Sequence, residues 1–149
     1  MSKLSEIIDF AIEQEVEAET FYLQVAAKTT VDTLRELFVG FAGEEKKHQQ
    51  ILKGVLENDE ALKQFKPTAD YKISATVEKA ELTDTMTIAE VFSIAMKREE
   101  EAMMMYQHLA SDATSEESKK IFDSLALMEQ GHKTKMEKFY TDVAYNEVW

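Results

Sequence analysis

Residues 45–48 read Glu45-Lys46-Lys47-His48, and residues 129–132 read Glu129-Gln130-Gly131-His132. A shift of 84 residues superimposes the two, and the same shift pairs Glu15 with Glu99, Tyr22 with Tyr106, Ala11 with Ala95, Phe38 with Phe122 and Ala42 with Ala126 without a gap. Such a match marks an internal repeat. Around these anchors, apolar or small residues recur every three or four positions over about 4–28, 32–57, 88–112 and 116–143, the period of an amphipathic helix. The links Val31-Asp32 and Ser111-Asp112-Ala113-Thr114-Ser115 are short and polar, so each half of the repeat is expected to be a hairpin of two antiparallel helices. Residues about 58–87 hold the only proline, Pro67, and are long enough to cross the length of a bundle. Thr87-Ile88-Ala89-Glu90 then reads as a capping box that opens the third helix. The expectation is an all-α four-helix bundle made of two hairpins, about 4–57 and 88–143, in a single domain spanning 1–149.

Composition agrees with that reading. One proline and four glycines in 149 residues favour long helices over a sheet with its many turns. Twenty-nine acidic against 17 basic side chains leave a formal charge of −12, which repels phosphate backbones and anionic lipid, so neither nucleic acid nor a membrane is an expected partner. With no cysteine, thiolate metal sites, iron–sulfur clusters and cysteine nucleophiles are all excluded, and any metal must be held by oxygen and imidazole. The chain starts directly in charged amphipathic sequence and has no long apolar run, which predicts a cytoplasmic location.

The core-facing stripes decide what the bundle is built around. They read Ile8, Ala11, Glu15, Ala18, Tyr22, Val25 in the first helix and Leu34, Phe38, Phe41, Glu45, His48, Leu52, Val55 in the second. The third gives Phe92, Ala95, Glu99, Ala102, Tyr106, Leu109, and the fourth Phe122, Leu125, Glu129, His132, Met136, Phe139. Each stripe is apolar at its ends and ionisable in its middle. Four carboxylates and two imidazoles are thus expected at one level of the core, where an unpaired charge costs several kcal/mol per ion. A cation has to answer them, and two divalent metal ions match four glutamates in charge.

Glu15 with Tyr22 seven residues on, Glu45-x-x-His48, Glu99 with Tyr106 seven residues on, and Glu129-x-x-His132 together resemble the ferritin-like di-iron carboxylate superfamily, and within it rubrerythrin-type proteins. The resemblance implies a di-iron site with Glu15, Glu45, His48, Glu99, Glu129 and His132 as ligands, Glu45 and Glu129 being the bridges. Tyr22 and Tyr106, two turns from the glutamates of their own helices, are expected as hydroxyl donors that steady ligand carboxylates on a neighbouring antiparallel helix, the plainer alternative being core aromatics. Two departures stand out. Ala102 occupies the position where rubrerythrin proper has an additional carboxylate one turn after its third-helix ligand, and the cysteine-rich rubredoxin domain that delivers electrons there has no counterpart in this sequence. Glu19, four residues after Glu15, is a candidate additional carboxylate whose repeat counterpart is Met103, which would make the two metal positions inequivalent.

Several neighbours have plainer readings. Glu17 and Glu101 are expected on a solvated face, His108 at the surface, and Met103-Met104-Met105 in adaptable packing, since three consecutive residues cannot share one helix face. A nitrogen and oxygen ligand set without sulfur suits two iron ions, with manganese or a mixed pair also compatible. The expected activity is reduction of hydrogen peroxide or dioxygen with an external electron-donor protein. Ferroxidase activity with iron storage and a metal-stabilised structural module are the alternatives, and a homodimer is the expected assembly.

Overall fold

A computed structural model of the chain describes residues 3–55, 57, 67, 81–83 and 86–147. Four helices account for nearly all of them: α1 (Lys3–Lys28), α2 (Asp32–Val55), α3 (Ile88–Asp112) and α4 (Glu116–Glu147). No strand occurs among the described residues, so the fold is all-α as the periodicity requires. Helix α2 stops two residues before its expected end, where a turn bonds the Glu57 N–H to the Gly54 carbonyl at 3.2 Å. Helix α4 instead runs past residue 143 to Glu147. Most of the expected crossover, 58–87, lies outside the described residues. The chain divides into two compact units, Met1–Gln64 and Phe65–Trp149, one for each half of the repeat. No described helix is long and apolar enough to cross a membrane.

In the first unit α1 packs antiparallel on α2, as the cross-helix pairs show. Moving away from the turn, Arg35 bonds the Ala26 carbonyl, Tyr22 touches Phe38 and Phe41, and Gln49 reaches Glu19. Arg35 closes the hairpin chemically as well. Its guanidinium donates to the Thr29 carbonyl at 2.9 Å, the Ala26 carbonyl at 3.4 Å and Asp32 Oδ1 at 2.8 Å, and so occupies carbonyls that the end of α1 leaves without helical partners. Beyond the turn, Tyr22 is caged by Phe21, Phe38 and Phe41, with ring centroids 5.5–5.9 Å from its own. Burying each such ring contributes about 1.5–3 kcal/mol, before the further gain from edge-on ring geometry.

In the second unit the capping box forms as read. Thr87 is extended at φ −72°, its Oγ1 accepts from the Glu90 N–H at 3.2 Å, and Glu90 Oε1 accepts from the Thr87 N–H at 3.3 Å. Replacing Thr87 by alanine should therefore cost about 1 kcal/mol of stability, measured by urea denaturation. Ser115 opens α4 in a similar way, accepting from the Ser118 N–H at 3.1 Å. Phe92 stacks on Phe139 at 5.6 Å, which again makes the helix pair antiparallel.

The expected stripes are the buried ones, with Ala18, Leu34, His48, Ala102, Leu109 and Phe139 half-buried rather than fully enclosed. Helices α3 and α4 bury more than one stripe, however. Val91, Ile94 and Glu100 on α3, and Lys133 and Glu137 on α4, are also withdrawn from solvent. The charged members come in helical pairs, Lys97 Nζ 2.8 Å from Glu100 Oε1 and Lys133 Nζ 3.3 Å from Glu137 Oε2. A pattern of residue types assigns such charges to a wet face; ion pairing one helical turn apart lets them leave it.

Candidate metal centre

Helical register builds each half of the site. A spacing of three places Glu45 and His48 on one face of α2, and the antiparallel α1 brings Glu15 to the same level. One ligand atom from each of these three residues lies within 4.8 Å of the other two, and His48 Nδ1 is 3.9 Å from Glu15 Oε1. The second hairpin repeats the arrangement with Glu99, Glu129 and His132, again with ligand atoms within 4.8 Å of one another. There His132 Nδ1 is 3.3 Å from Glu99 Oε2 and 3.5 Å from Glu129 Oε2. In both halves Nδ1 is the ring nitrogen turned toward the carboxylates.

Burial makes these clusters chemically demanding. Glu15, Glu45, Glu99 and Glu129 are each 3% exposed or less, and His132 is also buried, while His48 keeps part of its ring in solvent. Two carboxylates a few ångströms apart inside a protein repel each other and have lost most of their hydration. A divalent cation relieves both costs at once. The donor set is carboxylate oxygen plus neutral imidazole nitrogen with no sulfur, which suits iron or manganese and not a soft-metal site. The residues present therefore fit the metal that the sequence pattern calls for.

The other expected participants fall in different places. Tyr22 and Tyr106 are fully enclosed, at 1% and 0% exposure. Glu19 does not join the converging ligand atoms; it is half-buried and accepts a hydrogen bond from Gln49. Glu17 and Glu101 are exposed, and His108 is a surface residue paired with Asp112 at 3.1 Å. Met103 is buried, Met104 exposed and Met105 between, so the three methionines do spread around the helix. Gln49, Lys133 and Glu137 are buried beside the clusters without belonging to any sequence motif. The repeat held a signal for the first two, because Gln49 and Lys133 each directly follow a histidine of the clusters.

The model of the rubrerythrin family matches residues 6–140. The chain belongs to the rubrerythrin family. Membership makes the domain ferritin-like and implies a metal-binding role, which the two Glu/Glu/His clusters are equipped to serve. Among solved structures, a hypothetical protein from Pyrococcus furiosus is similar at 29% identity and a TM-score of 0.57, over 93% of this chain and 89% of that one. No curated protein matches this rubrerythrin-family chain.

Proposed function

We propose that the chain is a di-iron oxidoreductase that reduces hydrogen peroxide, or dioxygen in its place, with electrons from a separate donor protein. The observation that carries this reading is the doubled cluster, two carboxylates and one imidazole converging in each hairpin. Glu15, Glu45 and His48 would hold one ion, and Glu99, Glu129 and His132 the other. The four carboxylate charges offset those of two iron(II) ions, so the loaded core is close to neutral. When bound, the iron pair supplies two electrons together, and with two protons one peroxide becomes two waters without release of a one-electron radical. The protein's part is to present both imidazoles with Nδ1 toward the carboxylates and to enclose the carboxylates where water is scarce. Tyr22, fixed by its three phenylalanine neighbours, is proposed to steady a ligand carboxylate through its hydroxyl group, and the buried Tyr106 to fill the matching place in the second hairpin. The proposed setting is the cytoplasm and the proposed assembly a homodimer.

Rapid mixing of the anaerobic iron(II) protein with peroxide, and separately with dioxygen, tests the reading. Oxidation of two irons per peroxide, faster than oxidation by dioxygen, is the expected result. Faster oxidation by dioxygen with ferric mineral accumulating inside an oligomer would move the assignment to ferroxidase and storage. Loaded protein inert to both oxidants would leave a metal-stabilised structural module.

A further inference from the structure

The two clusters match in their ligands and differ in the residues beside them. In the first hairpin, Glu19 stands one turn after Glu15 on α1, and Gln49 stands directly after His48 on α2. Gln49 Nε2 donates to Glu19 Oε1 at 2.9 Å, from a side chain that is itself 7% exposed. A hydrogen bond from a buried amide to a carboxylate is charge-assisted, so it fixes orientation as well as position. At the corresponding places in the second hairpin the chain has Met103 and Lys133. The first is a buried thioether with no hard oxygen, and the second is an ammonium committed to Glu137 at 3.3 Å. One cluster is thus flanked by an oriented extra negative charge, and the other by an ion pair that sums to zero.

We propose that Gln49 is a positioning residue, which holds Glu19 one turn from Glu15 so that the first-hairpin cluster binds a divalent cation more tightly than the second. The inference rests on the metal-binding reading above and adds an order of filling to it. Glu19 acts by through-space attraction on a cation held by Glu15, Glu45 and His48, and Gln49 acts only through Glu19. Residues that support metal ligands from behind typically change affinity 10–100-fold when removed. Here that effect belongs to one position out of two.

Cobalt(II) is a suitable probe, because its visible bands report ligand environment as well as occupancy. Metal-free full-length protein titrated with cobalt(II), followed by absorption and calorimetry, should fill in two distinguishable steps. Glu19→Gln, isosteric at a half-buried position, and Gln49→Leu should each weaken the tighter step by roughly tenfold and leave the weaker step in place. Because one residue acts through the other, the double variant should lose no more than Glu19→Gln alone. Circular dichroism checks the fold of each variant, and if Gln49→Leu fails to fold, Glu19→Gln carries the test. Two identical steps in the parent, an unchanged tight step in Glu19→Gln, or fully additive losses in the double variant would each overturn the inference with metal binding intact. A parent chain that takes up no cobalt would overturn the metal-binding reading itself.

Discussion

A chain in which Glu15, Glu45, Glu99 and Glu129 are all replaced by leucine is expected to take up no iron and to melt at a higher temperature than the metal-free parent. The two effects have one origin. Each of these carboxylates is 3% exposed or less, and each shares its cluster with a second one. Without metal, the protein must either protonate them or tolerate buried like charges, and both options cost stability. Replacing buried ionic groups with apolar ones of similar volume is often stabilising by about 1–4 kcal/mol, and for a chain of this size each kcal/mol moves Tm by about 2–4 °C. In the parent, iron should restore what the carboxylates cost, because a ligand that binds only the folded state stabilises it by mass action. Metal analysis and thermal melts with and without chelator check both halves. Full iron uptake by the leucine variant would remove these residues from the ligand set. Loss of metal together with a Tm below that of the metal-free parent would show that the carboxylates stabilise the fold by themselves.

The second large effect is expected at the buried ion pair beside the second-hairpin cluster. Lys133 and Glu137 are 3% and 0% exposed in their side chains and 3.3 Å apart. Lys133→Met removes the cation and leaves the carboxylate enclosed, so it should destabilise the protein by about 3–5 kcal/mol. Adding Glu137→Leu should recover most of that loss, since an apolar pair of similar size needs no counter-charge. Urea denaturation of the single and double variants measures the difference. A cost for Lys133→Met below about 1 kcal/mol, the range of exposed pairs, would mean that water reaches the site.

The helices and the two Glu/Glu/His clusters were readable because they obey strong local rules. Three- and four-residue periodicity placed α3 at 88–112, where the structure has Ile88–Asp112, and Thr87 and Glu90 marked its start by the hydrogen bonds they were bound to make. Glu45 and His48 were legible from spacing, and the repeat with Glu129 and His132 raised that spacing above the chance level of a glutamate-rich helix. Helix ends were less legible, because fraying and turn formation depend on single bonds such as Glu57 to Gly54. The buried charges of α3 and α4 were not legible at all. Lys133, Glu137 and Glu100 are residue types that water normally claims, and only their partners in space explain why they are inside. Gln49 escaped notice for a related reason: its importance lies in a bond to Glu19, thirty residues away on another helix.

The Arg35 clamp on the first turn has a consequence in time. Helices joined by so short a link make contacts that are local in sequence, and such contacts form within microseconds to milliseconds. A chain emerging at about 5–20 residues per second then presents Glu15, Glu45 and His48 roughly 4–17 seconds before their counterparts 84 residues downstream. During synthesis the first hairpin therefore precedes the second, and on the metal-binding proposal its three donors would be the first to meet iron.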